Sequence, residues 1–192
     1  MIDLSERQTR RLENSFYFLL KLSAMAIPFH LAIAYADLSW LQTFTAQNVH
    51  SALALFGVNA QLNGAVLRFD GFDVLVSRDS TGWKSAFFLA ALIVAAKAKS
   101  AEKLLGIAVF VPLIYAINIV RVSVTSYSAF YGVETFYLFH DILWQAGMAA
   151  AVLALWFAWL KKKSILAGLA RTRVSTFKTA VLKFLPHGSG SV

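Results

Sequence analysis

The sequence contains no cysteine and few charged residues. Without cysteine, the chain can form neither a disulfide framework nor a thiolate metal site. Charged residues make up 15% of the 192 residues, whereas 58% are hydrophobic, and the mean hydropathy is +0.62. A water-soluble domain of this length rarely carries so much apolar surface. The composition therefore predicts an all-α polytopic membrane protein with little room for a separate soluble domain.

Four stretches come close to the roughly 20 apolar residues that a helix needs to cross a bilayer core about 30 Å thick. The second stretch is short and reaches this length only if Lys97 snorkels to the interface. The fourth carries tryptophans at both ends, which suits the two interfaces. We expect four transmembrane helices, at residues 15–36, 81–98, 104–122 and 141–160, in one membrane-embedded domain of residues 1–163.

The basic residues indicate the orientation of these spans. Fourteen of the eighteen Lys and Arg residues lie in or beside the N-terminus, the loop 97–103 and the segment from Lys161 onward. Cytoplasmic loops carry such an excess of basic residues. We therefore expect both termini in the cytoplasm, and residues 37–82 and 122–141 outside it.

Three segments outside the spans also have readable patterns. Residues 38–58 have apolar positions at helical spacing and predict an outer interfacial helix. Residues 65–77 alternate around an Asp70-Gly71 turn and predict a short β-hairpin. Residues 164–186 predict a basic amphipathic tail helix on the anionic cytoplasmic leaflet. The net charge of the chain is +8, and we therefore expect it to bind membrane lipids rather than nucleic acid. Residues 187–192, which end in GSGSV, are typical of a cloning remnant.

Three polar residues are predicted to meet at the outer membrane boundary. Ser80 precedes the second span, Arg121 ends the third and His140 precedes the fourth. A hydroxyl, a guanidinium and an imidazole in one pocket are the groups that acyl transfer needs: a nucleophile, an oxyanion stabiliser and a proton carrier. Ionisable groups at membrane depth are also functional candidates by default.

Structural roles for the same residues stay open at this point. Ser80 and Thr81 are good helix caps, and so is Asp141 beside His140, while Arg121 has the length to snorkel to lipid headgroups. Other polar residues in the spans favour structure over chemistry: His30 and Pro28 predict packing or a kink, and Asn118 and Gln145 predict interhelical hydrogen bonds.

Three motifs carry a resemblance to a known family. RDSTGWKSAFFLAALIVAAKAK, NIVRV and FHDILWQ, in this order and at these depths, resemble the exosortase/archaeosortase family of membrane transpeptidases over about residues 48–160. The resemblance puts Ser80 where the family has its nucleophilic cysteine, and Arg121 and His140 where it has its other two catalytic residues. Asp79, Thr81 and Gly82 match the motif around the nucleophile.

The resemblance implies a sorting reaction. The substrate would be a secreted or surface protein with a C-terminal signal made of a short motif, a transmembrane helix and a basic end. The enzyme would cleave near the motif, outside the cytoplasm, and pass the new C-terminus to a lipid or other envelope acceptor. No cofactor is implied, and the sequence has no ligand cluster with metal-site spacing.

The serine at position 80 departs from the family pattern. A thiol is readily activated by nearby positive charge, whereas a hydroxyl needs a well-placed base. An engineered Cys→Ser change, which the GSGSV end favours, predicts an inactive form, and a natural serine predicts a serine variant or a lost activity. A non-catalytic adaptor that binds a helix or a lipid headgroup in the same pocket is the main alternative. A transporter or a rhomboid-like serine protease fits less well, because polar midplane groups and spans are few.

Overall fold

The computed structural model describes residues 6–141 and 146–162. The chain divides into two compact units, Met1–Trp156 and Phe157–Val192. The described residues of the second unit, 157–162, are helical. The predicted tail helix of residues 164–186 and the predicted remnant of residues 187–192 lie outside the described residues, and so does Gln145.

Helices form most of the first unit. Between α3 and α4 lie three short strands, followed by a 3₁₀ turn, Arg78–Thr81, which we call the Ser80 turn. The helices are α1 (Glu6–Ala24), α2 (Ala26–Tyr35), α3 (Ser39–Leu55), α4 (Trp83–Ala95), α5 (Ser100–Ser128), α6 (Val133–Asp141) and α7 (residues 148–156).

Among the described residues, two helical stretches are long and apolar enough to cross a membrane, Gln8–Tyr35 and Ser100–Tyr131. The first is interrupted at Met25, between α1 and α2. Pro28 accounts for the break, because it lacks the N–H that would bond the preceding turn and its ring clashes with that turn. The structure therefore shows a break one turn before Pro28, and the alternatives of packing or a kink stay predictions.

The second predicted span is shorter in the structure than expected. Helix α4 has 13 residues, which corresponds to about 20 Å at the usual helical rise and falls short of a bilayer core. It ends at Ala95, before Lys97. The fold is thus mostly helical with two candidate membrane spans in the described residues, while the count of four spans stays a prediction.

The predicted hairpin is confirmed, within a larger sheet. Strands β2 (Val66–Phe69) and β3 (Phe72–Leu75) pair antiparallel across the Asp70-Gly71 turn. A strand that the sequence did not predict, β1 (Gln61–Asn63), pairs antiparallel with β2, so the order is β1-β2-β3.

Helix α3 packs against this sheet and forms the hydrophobic core. Ala46, Val49 and Leu53 lie on one face of α3. They are buried against the sheet side chains Leu67, Phe69, Val74 and Val76 and against Val122 of α5. The helix predicted within residues 38–58 is therefore present as α3, and its buried face covers the sheet.

The C-terminal third of α5 is polar and buried. The 29 residues of α5 extend about 43 Å, which exceeds a bilayer core of about 30 Å. After its initial turn, the first part of the helix is almost wholly apolar, whereas in its last part buried polar residues alternate with apolar ones: Asn118, Arg121, Ser123, Thr125, Ser126 and Ser128. This end of α5 meets the Ser80 turn, which it contacts through Asn118 and Arg121.

Candidate active site

Ser80 lies in a tight, capped turn. The Ser77 hydroxyl accepts a hydrogen bond from the Ser80 backbone N–H at 3.2 Å, which caps the 3₁₀ turn. The two hydroxyl oxygens, Ser77 Oγ and Ser80 Oγ, are 3.0 Å apart. Ser80 is buried, with 8% of its surface exposed. The Ser80 hydroxyl is therefore hydrogen-bonded to the Ser77 hydroxyl.

Arg121 reaches the same turn from α5. Its Nη2 donates to the Ser80 carbonyl oxygen at 3.4 Å, and Asn118 Nδ2 donates to the same oxygen at 2.9 Å. All three residues are buried. The structure thus brings Arg121 to the Ser80 backbone. Asn118, for which an interhelical hydrogen bond was predicted, instead bonds the carbonyl of the 3₁₀ turn.

Gly82 allows this close approach. Its φ of +78° belongs to the left-handed region, which suits glycine. A β-carbon at this position would lie 2.6 Å from Asn118 Cγ. The neighbouring Thr81 is fully buried and donates through its hydroxyl to the carbonyl of Arg78 at 2.8 Å. The two residues therefore shape the turn around Ser80.

His140 lies on α6, near the end of that helix. Its ring stacks on Phe136 with 5.8 Å between centroids, and its Nδ1 is 3.3 Å from Asp141 Oδ1. Phe136 packs against the core cluster that contains Val122, the residue after Arg121. The structure thus places His140 one helical turn from a residue that packs beside α5, and gives it a carboxylate partner that can orient the imidazole.

Asp79 is paired with the first turn of α4. Its Oδ1 forms an ion pair with Lys84 Nζ at 2.8 Å, and both side chains are partly exposed. Next to it, Arg78 donates to the carbonyls of Ala32 and Ile33 in the last turn of α2, at 2.6 and 2.9 Å. These bonds attach the Ser80 turn to the end of the first span.

An apolar groove of about 660 Å³ includes Lys84, the partner of Asp79, in its lining. It lies between the end of α1, α2, α4 and α7, and three phenylalanines contribute to its wall. Phe29 contacts Trp83, Phe87 and Phe88, with centroids 5.0 to 5.5 Å apart. Polar groups occur at one end, where His30 and Lys84 line the groove. Within residues 6–141 and 146–162, no cluster of three or more metal-ligating side chains is present.

The family model for transmembrane exosortases matches residues 9–157. The chain belongs to the transmembrane exosortase family. At the level of the family, it is a membrane protein related to protein sorting, of the transpeptidase and protease kind. No curated protein and no solved structure matches the chain. The resemblance drawn from the three motifs is therefore confirmed.

Two residues of this candidate site were not predicted to belong to it. Ser77 stands three positions before Ser80, a spacing at which a serine side chain can cap the turn that follows. Asn118 stands three positions before Arg121, so both occupy one face of α5. Both spacings are visible in the sequence and would have pointed to these residues.

Proposed function

We propose that this exosortase is a sortase-like transpeptidase of the cell membrane, with both termini in the cytoplasm and its active site on the outer face. Its substrates are secreted or surface proteins with a C-terminal signal of motif, helix and basic end. It transfers the new C-terminus to a lipid or other envelope acceptor. The observation that supports this most is the 3.4 Å contact between the Arg121 guanidinium and the Ser80 peptide at the polar end of α5.

In the proposed reaction, the side chain at position 80 adds to the carbonyl carbon of the scissile bond. In the cysteine form, the thiol loses its proton to His140 before this attack, and Arg121 favours the resulting thiolate. The Arg121 guanidinium then stabilises the oxyanion that forms. When the tetrahedral intermediate collapses, the carbon–nitrogen bond breaks and the departing amine takes the proton from His140. The acceptor then adds to the acyl-enzyme, its proton passes through His140, and that proton returns to the leaving atom at position 80.

The serine at position 80 is expected to make this chain slow or inactive. The Ser80 hydroxyl contacts the Ser77 hydroxyl, which is a weak base. A hydroxyl nucleophile needs a strong base in hydrogen-bond reach, whereas a thiolate beside a guanidinium does not. We therefore propose that the reaction is of the cysteine type and that this chain is either an engineered Cys→Ser form or a natural serine variant.

The apolar groove offers a place for the substrate helix. Its wall is formed by the end of α1 and by α2, α4 and α7, and Lys84, at its polar end, lies four residues from Ser80. An apolar helix in this groove would bring its outer end, and the cleavage motif that precedes it, to the depth of the Ser80 turn. Membrane helices associate by such close packing of side chains.

The test uses the full chain with Ser80→Cys, reconstituted in liposomes with a tagged substrate that carries a C-terminal signal. We expect cleavage and an acceptor-linked product, and a fall of about 100-fold or more when Arg121→Ala removes the oxyanion donor. Ser80→Ala in the same background is the control and should give no product.

A different result would favour a different function. If the Ser80→Cys chain binds the substrate but neither cleaves it nor forms an adduct, the transpeptidase proposal is wrong. If Arg121→Ala then weakens that binding, the non-catalytic adaptor becomes the better description, because the pocket would serve to hold a helix or a lipid headgroup.

A further inference from the structure

The carbonyl oxygen of Ser80 receives two hydrogen bonds from one helix. Asn118 Nδ2 lies 2.9 Å away, a typical distance, whereas Arg121 Nη2 lies 3.4 Å away, which is longer than most N–H···O bonds. Asn118 is therefore the main donor, and the bond from Arg121 is the weaker of the two.

Asn118 is held firmly in this position. It is fully buried, and its side chain packs so closely on Gly82 that no β-carbon fits between them. Its Oδ1 has no hydrogen-bond partner among the described residues. A buried amide oxygen without a partner costs stability, so a purely structural role explains this asparagine poorly.

We propose that Asn118 is a positioning residue that keeps the Ser80 carbonyl bonded while Arg121 moves its guanidinium to the oxyanion of the substrate. This inference rests on the proposed function, because it assigns Arg121 first to the Ser80 carbonyl and then to the oxyanion of the substrate. Without Asn118, a departing Arg121 would leave the buried Ser80 carbonyl unbonded, and this loss would oppose the transition state.

The position of both donors on the same face of α5 allows this exchange. Asn118 and Arg121 are three residues apart, so their side chains are neighbours on the helix surface. The long side chain of Arg121 can change its partner without a shift of the helix, whereas the short side chain of Asn118 is fixed by Gly82. The arrangement separates a static donor from a movable one.

The first part of the test measures the carbonyl directly and needs no turnover. Because the sequence has no cysteine, [1-¹³C]cysteine incorporated into the full Ser80→Cys chain labels only the carbonyl at position 80. We expect its infrared stretching band to move to higher frequency with Asn118→Leu, and to move less with Arg121→Met. A band that responds to Arg121→Met but not to Asn118→Leu would overturn the assignment of Asn118 as the main donor.

The second part measures turnover in liposomes, in the same Ser80→Cys background. Asn118→Asp and Asn118→Leu resemble asparagine in branching and lack the N–H₂ donor. We expect both to lower kcat about tenfold or more, as the loss of one buried hydrogen bond implies, and to leave KM within about twofold, since the bond matters in the transition state. If Asn118 only fills space, Asp and Leu should retain kcat while Asn118→Ala loses it, and that result would overturn the proposal.

Asn48 provides the matched control. It lies on α3, and its Nδ2 donates to the Phe44 carbonyl at 2.8 Å and to the Tyr115 hydroxyl at 3.3 Å rather than to the Ser80 carbonyl. Asn48→Leu should leave kcat unchanged, and an equal loss there would show a general effect of removing a hydrogen-bonded amide. Absence of turnover in the parent Ser80→Cys chain would instead overturn the proposed function, and the proposed movement of Arg121 would fall with it. The infrared band would still report whether Asn118 bonds the carbonyl at position 80.

Discussion

Replacing Gly82 by alanine is expected to be costly because two separate penalties coincide at this position. The backbone has a φ of +78°, and a β-carbon would lie 2.6 Å from Asn118 Cγ and 2.9 Å from both Cβ and Nδ2 of that residue. The left-handed conformation costs a non-glycine residue about 1–2 kcal/mol. Overpacking of a tight site adds about 1–3 kcal/mol. We therefore expect Gly82→Ala to destabilise the fold by about 2–5 kcal/mol.

Gly57 separates the two penalties. Its φ of +76° nearly equals that of Gly82, but a β-carbon there would meet nothing within 4 Å. Gly57→Ala should therefore cost only the conformational term of about 1–2 kcal/mol. The difference between the two variants measures the contact with Asn118 alone.

Unfolding of the full chain in mixed detergent micelles, followed by tryptophan fluorescence, provides the measurement. Gly82→Ala should unfold at a clearly lower denaturant fraction than Gly57→Ala. In the double variant Gly82→Ala/Asn118→Ala, part of the clash is removed, so the two effects should be non-additive by more than about 0.5 kcal/mol. Equal losses at both glycines, or strict additivity with Asn118→Ala, would refute the close contact on which the site geometry depends.

Three further predictions concern the surroundings of the site. Arg78→Met removes both bonds to the end of α2 and should lower the stability of the full chain by about 1 kcal/mol or more, and an unchanged unfolding midpoint in micelles would contradict this. Ser77→Ala in the Ser80→Cys background removes the hydroxyl beside position 80, so iodoacetamide should alkylate the single cysteine at an altered rate, and an identical rate would show that the two side chains do not interact. The backbone N–H of Ser39 donates to the Asp37 carboxylate and lowers the pKa of Asp37 below its ordinary value of 3.8. This bond should therefore stabilise the fold above that value and be lost as the pH falls through the lowered pKa, and an NMR titration giving a pKa of 3.8 or higher would contradict it.

The elements with a strong periodic pattern could be predicted from the sequence. The Asp70-Gly71 turn between alternating residues predicted the β2–β3 hairpin, and helical spacing predicted α3. The apolar stretch of residues 104–122 predicted most of α5. In each case the burial of one face, or of a whole helix, leaves a period in the sequence.

Elements that depend on tertiary contacts could not be predicted in this way. Strand β1 has three exposed residues and exists because it pairs with β2. The last turns of α5 are rich in Ser and Thr, which resemble a loop by composition, yet they are helical because they are buried against neighbouring elements.

Part of the candidate site could be predicted from the sequence, and the part that depends on tertiary contacts could not. Ser80 and Arg121 carry chemistry that is rare at a membrane boundary, so their types and positions alone singled them out. Ser77 and Asn118 contribute through hydrogen bonds that depend on the shape of the Ser80 turn. The ion pair of Asp79 with Lys84, across the first turn of α4, also needs the start of that helix to be known.

The most direct test of the account is a search for the covalent intermediate. The full Ser80→Cys chain is incubated in liposomes with a signal-bearing substrate, quenched in acid, digested and analysed by mass spectrometry. The account predicts that the peptide containing position 80 carries the new C-terminus of the substrate as a thioester, which hydroxylamine releases and which Ser80→Ala abolishes. Cleavage of the substrate at an equal rate by Ser80→Ala, or an adduct on any other residue, would contradict the claim that position 80 holds the nucleophile.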